Sequence, residues 1–293
     1  MSRTICFIGL GAMGIPMARR LIENQFRVQG FDLNPKALEA HAAQGGIACS
    51  TATEAAKGAE ALILMVVNAN QARAALVASG ALEALNKDAL VILMATCAPT
   101  DAKEIAGMVE KAGRRFLDAP VSGGVVGAEA GTLTIMAGGS AALFEAAKPY
   151  LSALGDKLYN VGPNPGDGAM VKTINQLLCG VHIAVAAEAF AMAEKAGLDT
   201  ELMLKILGQS AAASWMINNR GPRMLEVEPA VTSAVDIFVK DLSLVLDAGR
   251  ASKVALPLAA AAHQMFLAAS GAGHGATDDS QVIRAYRALN GTN

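Results

Sequence analysis

One change of pattern constrains this chain more than any other feature. As far as about residue 160, short apolar runs alternate with alanine-rich stretches of helical length. At Gly162-Pro163-Asn164-Pro165-Gly166 the pattern breaks, and beyond it the short apolar runs stop. Such alternation builds a parallel sheet covered by helices, and runs that are apolar throughout suit strands buried on both faces. Strands are predicted over 4–8, 27–32, 47–50, 61–67, 90–95, 115–119, 133–137 and 158–161. After the break, residues 167–196 read as one helix of about 30 residues, about 45 Å long at 1.5 Å per residue. Apolar on almost every side, it must be enclosed by protein, between two domains or two subunits. Further helices are predicted over 200–210, 234–252 and 257–270. The expected class is α/β: a Rossmann-type doubly wound sheet over 1–162, a long interdomain helix over 163–196 and an all-α domain over 197–293.

Composition narrows the function. With 24 Lys plus Arg against 26 Asp plus Glu, the chain lacks the basic surface that nucleic acid demands. Its longest strongly apolar stretches, 61–67 and 177–187, fall short of the roughly 18 to 20 residues of a membrane span, so none is expected. Met1-Ser2-Arg3-Thr4 runs straight into a strand and leaves no room for a signal peptide. The four cysteines, at 6, 49, 97 and 179, form no C-x-x-C pair and read as small buried hydrophobes of a reducing, cytoplasmic protein. His263 and His274 have no metal-ligand spacing and no H-E-x-x-H occurs, so no metal is expected.

Gly9-Leu10-Gly11-Ala12-Met13-Gly14 is a G-x-G-x-x-G that follows the first apolar run and opens a helix ending near Asn24. Strand, turn, helix and second strand within about 30 residues form the dinucleotide-binding context. Gly9 permits the tight turn, Gly11 lets the backbone approach a pyrophosphate, and Gly14 lets the helix pack on the strand. The helix start, at Ala12 and Met13, offers N–H groups and a positive dipole end to the anion. Asp32 ends the second strand, where a carboxylate accepts from the adenine-ribose hydroxyls, and this predicts NAD. Lys36 is the nearby cation that could instead meet a 2′-phosphate. The bland reading of Asp32 is a cap on the Asn34-Pro35 turn. Val67, Asn68 and Thr96 end later strands, where loops would border the cofactor; each alone is also an ordinary turn residue.

Two further motifs carry chemistry. Ser122-Gly123-Gly124 can present a hydroxyl and backbone N–H groups to an anion, or be a flexible turn. Lys172 is the only Lys or Arg between Lys157 and Lys195. It falls in the second turn of the long helix, where the positive helix end and burial both disfavour its charge. A neutral amine there can take the proton of a substrate hydroxyl while hydride leaves to NAD; the alternative is a lysine reaching out to water. Asn175 and Gln176 share its face by i+3 and i+4 spacing, with Cys179 a turn further. Trp215 is read as a pocket-closing or a packed aromatic, and His182 as a satisfied core imidazole.

Phe7-Ile8-Gly9-Leu10-Gly11-Ala12-Met13-Gly14, Asp118-Ala119-Pro120-Val121-Ser122-Gly123-Gly124, Gly168-Ala169-Met170-Val171-Lys172 and Lys240-Asp241-Leu242 occur in that order. In these motifs the whole chain resembles the β-hydroxyacid dehydrogenase family, which includes 3-hydroxyisobutyrate dehydrogenases and tartronate semialdehyde reductases. The resemblance implies that Ser122-Gly123-Gly124 holds the substrate carboxylate, that Lys172 is the general acid/base, and that Lys240 reaches the cofactor and substrate cleft while Asp241 anchors local backbone. An ordinary solvated Lys240-Asp241 pair is the alternative. The common family pattern has Asn four residues after the lysine; this chain has Gln176. With the runs 175–183 and 214–216 and the segment 233–242, this looks like the L-threonate dehydrogenase branch, whose four-carbon sugar acids are oxidised beside the carboxylate to 2-keto acids. Alternatives are 3-hydroxyisobutyrate or tartronate semialdehyde chemistry, or a catalytically silent NAD sensor or interaction module. A homo-oligomer, dimer or tetramer, is expected.

Overall fold

In strand β1 (Thr4–Ile8), alternate residues go to different cores. Ile5 and Phe7 pack with Met17, Leu21 and Leu151, whereas Cys6 and Ile8 pack with Ala55, Leu76 and Ile105. A strand sandwiched in this way has no face for water, so its residues are apolar throughout. The structure, a computed structural model, describes residues 3–292. Met1, Ser2 and Asn293, and with them the start of the lead-in segment, lie outside the described residues. Two units form, Met1–Lys172 and Thr173–Asn293.

In the first unit β1 is followed by α1 (Gly14–Glu23), β2 (Arg27–Phe31), α2 (Pro35–Ala43), β3 (Ile47–Ala48) and α3 (Ala52–Ala56). Next come β4 (Ala61–Leu64), α4 (Ala69–Arg73), α5 (Ala81–Ala84), β5 (Leu90–Leu93), α6 (Pro99–Lys111) and β6 (Arg115–Asp118). The last part holds β7 (Val121–Ser122), α7 (Gly124–Ala130), β8 (Thr134–Gly138), α8 (Ala141–Leu154) and β9 (Lys157–Gly162). Strand order is β3-β2-β1-β4-β5-β6-β8-β7, with β9 beside β8. The strands from β3 to β6 pair in parallel, so their carboxyl ends share one edge, where an α/β sheet binds its ligands.

Three details differ from the sequence reading. The sheet is mixed, because β8 pairs antiparallel with β6 and β7. The two-residue β7 is too short for any periodicity to reveal. Strands β4 and β5 stop at Leu64 and Leu93, although Met94 and Ala95 remain buried. An apolar run reports burial, and burial continues past the last ladder bond.

The long helix α9 (Asp167–Lys195) begins in the first unit and continues into the second, which adds α10 (Thr200–Leu207), α11 (Trp215–Leu225), α12 (Val235–Ser252), α13 (Pro257–Ala269) and α14 (Ile283–Asn290). Ile183, Ala187 and Phe190 of α9 join Phe238, Leu242 and Phe266 in the core of the second unit. The rings of Phe238 and Phe266 stack with centroids 5.2 Å apart. Within the single chain α9 keeps one apolar stripe outside: Ile174, Leu178, Val185 and Met192 are all at least half exposed. By length and composition α9 would also pass as a membrane span, which counting shorter apolar runs overlooks; half of its most apolar window is buried in the protein. Buried ion pairs Arg220–Asp279 and Arg223–Asp278 tie α11 to the segment that precedes α14.

Candidate functional site

The glycine-rich turn leaves β1 at its carboxyl end. Gly9 has φ +98°, and a Cβ there would stand 2.4 Å from the Met65 carbonyl oxygen. A Cβ on Gly14 would stand 1.9 Å from the Gly9 oxygen, so strand and helix meet only because both are glycine. Gly11 differs: it is exposed, with nothing within 4 Å of where its Cβ would be. Ala12 is exposed beside it and Met13 is half-buried, and no side chain caps the start of α1. An open backbone beside an uncapped helix N-terminus fits a pyrophosphate.

Asp32 follows β2 directly. Its Oδ2 accepts from the Leu10 N–H of the glycine turn at 2.7 Å and its Oδ1 from the Asn34 N–H at 2.8 Å. The carboxylate therefore braces the turn and also caps the approach to α2, and each oxygen keeps a second lone pair for an outside donor. Asn68 is spent locally: its side-chain oxygen caps α4 by accepting from the Gln71 N–H at 2.9 Å, while the Gln71 side chain accepts from the Val67 N–H at 2.9 Å. Val67 is exposed and Thr96 half-buried, both just beyond the carboxyl ends of β4 and β5.

Ser122 ends β7, paired with Thr134 of β8, and is half-buried. Gly123 and Gly124 follow with φ +134° and +63°, and Gly124 faces open space. Positive φ at two successive positions suits glycine, and a turn without side chains can bring its backbone close to an anion. Four residues before Ser122, Asp118 is 1% exposed, and its Oδ2 accepts from the Ala169 N–H of α9 at 2.8 Å. Burial pushes its carboxyl up to about 7, opposed by the N–H groups of Ala169 and Gly166 and assisted by the charge of Asp167. Lys172, one turn beyond Ala169, is buried at 7% exposure.

In the second unit the polar residues form a chain. The Asn175 amide donates to Gln176 Oε1 at 2.9 Å and to Cys179 Sγ at 3.3 Å. Gln176 Nε2 in turn donates to Asp241 Oδ2, and Lys240 Nζ lies 2.7 Å from Asp241 Oδ1. Asp241 thus anchors two side chains, where the sequence reading gave it a backbone role. Lys240 is paired and three-quarters buried, so the solvated-pair alternative is set aside. Trp215 is half exposed at the start of α11, with the Arg220 guanidinium 5.8 Å from its ring, so it is no core residue. His182 is half-buried. Among the described residues no three His, Cys, Asp or Glu side chains cluster as metal ligands.

The sequence marked Asp118 only as part of a motif and gave Asp241 only a local backbone role. Their partners lie 51 and 65 residues away, and the one signal available was an acidic residue inside an otherwise apolar segment.

Comparison with known proteins agrees with this layout. Residues 4–162 match the family model described as the NAD binding domain of 6-phosphogluconate dehydrogenase. Residues 166–286 match that of the NAD-binding domain of NADP-dependent 3-hydroxyisobutyrate dehydrogenase. The chain is 45% identical to L-threonate dehydrogenase of Cupriavidus necator, over 98% of this chain and 97% of that one. It is 37% identical to 2-(hydroxymethyl)glutarate dehydrogenase of Eubacterium barkeri, over 98% and 96%. A solved 3-hydroxyisobutyrate dehydrogenase from Salmonella typhimurium superposes with a TM-score of 0.92 at 42% identity, covering 97% of this chain and 99% of that one.

Proposed function

The chain belongs to the β-hydroxyacid dehydrogenase family, as an NAD-dependent oxidoreductase of the 3-hydroxyisobutyrate dehydrogenase type, and from that premise we propose that it oxidises L-threonate, or a closely similar four-carbon sugar acid, to the 2-keto acid. The observation that carries the substrate is the 45% identity to an L-threonate dehydrogenase along nearly the whole of both chains. Identity of that extent to dehydrogenases also sets aside the silent sensor.

Bound NAD supplies the hydride acceptor. The exposed Gly11 backbone and the uncapped start of α1 hold the pyrophosphate, and Asp32 accepts from the adenine ribose, which favours NAD over a phosphorylated ribose. Val67, Asn68 and Thr96 border the cofactor, and Lys240 is assigned to cofactor binding on its family motif alone. Ser122, Gly123 and Gly124 hold the acid's carboxylate through a hydroxyl and N–H groups. Lys172 Nζ takes the proton from the carbinol oxygen as the C–H bond gives up its hydride, and returns it in the reverse direction. What supports Lys172 in this role is its burial on the second turn of α9, one turn beyond the Ala169 N–H that Asp118 holds. Asn175 and Gln176 orient the remaining hydroxyls.

A second reading, 3-hydroxyisobutyrate as substrate, draws on the 42%-identical solved structure. The experiment that decides is absorbance of reduced nicotinamide with NAD and a panel of L-threonate, D-threonate, 3-hydroxyisobutyrate and glycerate. L-Threonate should give the highest kcat/KM; a higher value for 3-hydroxyisobutyrate overturns the assignment. Cytoplasmic location and a homo-oligomer belong to the same proposal. The four cysteines are buried without a disulfide, and the exposed stripe Ile174, Leu178, Val185 and Met192 is suited to a second copy of the chain.

A further inference from the structure

Asp118 ends strand β6, and the chain reaches Ser122 four residues later. Across the sheet edge its Oδ2 accepts the Ala169 N–H at 2.8 Å, and Lys172 follows on the next turn of the same helix. The carboxylate therefore joins the two segments that carry the carboxylate-binding turn and the proton-carrying amine. Two glycines make room for the joint. A Cβ on Gly138 would stand 2.3 Å from Asp118 Oδ1 and 2.5 Å from the Gly168 nitrogen; one on Gly168 would stand 2.3 Å from the Met136 oxygen and 3.1 Å from Asp118 Oδ2.

The Ala169 N–H is one of the first-turn donors of α9 that no carbonyl of the helix accepts, and Asp118 caps it from another segment; Asp167 accepts instead from the Asn164 N–H, ahead of the helix, at 2.9 Å. Asp118 adds a link between segments 51 residues apart, made by a carboxyl at 1% exposure. Burying such a group is costly unless it is hydrogen-bonded.

We infer that Asp118 is a positioning residue, which fixes the first turn of α9, and with it Lys172, against the Ser122-Gly123-Gly124 turn. The inference rests on the proposal that Lys172 carries the proton. Because Asp118 acts as an acceptor, an asparagine oxygen can do the same work and an alanine cannot.

The test compares wild type, Asp118→Ala, Asp118→Asn and Lys172→Ala by two readouts: kcat with NAD and L-threonate, or 3-hydroxyisobutyrate should that be the acid that turns over, and NADH affinity by fluorescence titration. Asp118→Ala should lower kcat about 10- to 100-fold, the usual effect of misplacing a reacting group by about 1 Å. Its NADH affinity should stay within about twofold, and Asp118→Asn should recover kcat to within about threefold of wild type. A merely structural role would lower kcat and NADH affinity together. Wild-type kcat in Asp118→Ala, with Lys172→Ala inactive, overturns the inference and leaves the mechanism intact. Equal loss in Asp118→Ala and Asp118→Asn overturns it as well. An active Lys172→Ala removes the premise instead. Should Asp118→Ala not fold, Gly168→Ala strains the same joint and is expected to show the same split; an unchanged kcat there counts against the inference.

Discussion

Gln176 Nε2 donates to the carboxylate of Asp241, 65 residues later, with both side chains buried. The Gln176 oxygen meanwhile accepts from Asn175, so neither amide can flip without breaking the chain of bonds. Removing the acceptor by Asp241→Ala leaves a buried amide and the Lys240 ammonium without it. A loss of about 1–3 kcal/mol is expected in urea unfolding, together with a raised KM for the hydroxy acid. Unchanged stability and KM would mean that the chain of bonds does not organise the pocket.

Gly11 and Gly14 belong to one motif but sit in opposite surroundings. Gly14→Ala puts a methyl 1.9 Å from the Gly9 oxygen and should destabilise the first unit by about 1–3 kcal/mol, as overpacking does. Gly11→Ala meets nothing within 4 Å and should melt like wild type while weakening NAD about tenfold or more, or about 1.4 kcal/mol. Calorimetric titration with NAD beside thermal melts separates the two. Tight NAD binding by Gly11→Ala would show that no phosphate approaches that backbone.

The buried Asp118 carboxyl, pushed up to about 7, makes stability depend on pH in a definite direction. In the unfolded chain it ionises near 3.9. Between about pH 4 and 7 the folded state therefore holds a proton that the unfolded state lacks, and stability present below that window is lost as pH rises through it. Asp118→Asn cannot titrate. Its Tm relative to wild type should rise from pH 5 to pH 7 and level off above pH 8; a constant difference would contradict this.

Arg220 holds Asp279 by two bonds of 2.9 and 2.8 Å, and the carboxylate is fully buried. Arg220→Met alone strands that charge and should cost about 3–5 kcal/mol. The double variant Arg220→Met, Asp279→Leu should recover much of the loss, since a buried pair exchanged for apolar side chains is often neutral. Urea unfolding of the two variants checks the prediction.

The fold was largely legible because strands buried on both faces must be apolar without interruption. Ile5 to Ile8 read as a strand for the same reason that they divide between two cores. The stripe from Ile174 to Met192 was not legible: on a helix rich in alanine and aliphatic residues, composition is similar on every face, and only packing decides which face is left outside. Within the candidate site the glycines announce themselves by spacing. The bonds from Asp118 to Ala169 and from Gln176 to Asp241 do not, since each joins segments that only the folded topology brings together.

If Lys172 carries the proton of an NAD-dependent oxidation, the kcat of Lys172→Ala with saturating NAD and the preferred hydroxy acid should fall by about 10² to 10⁴, with NAD bound as tightly as in the wild-type protein. Turnover close to the wild-type rate would contradict it.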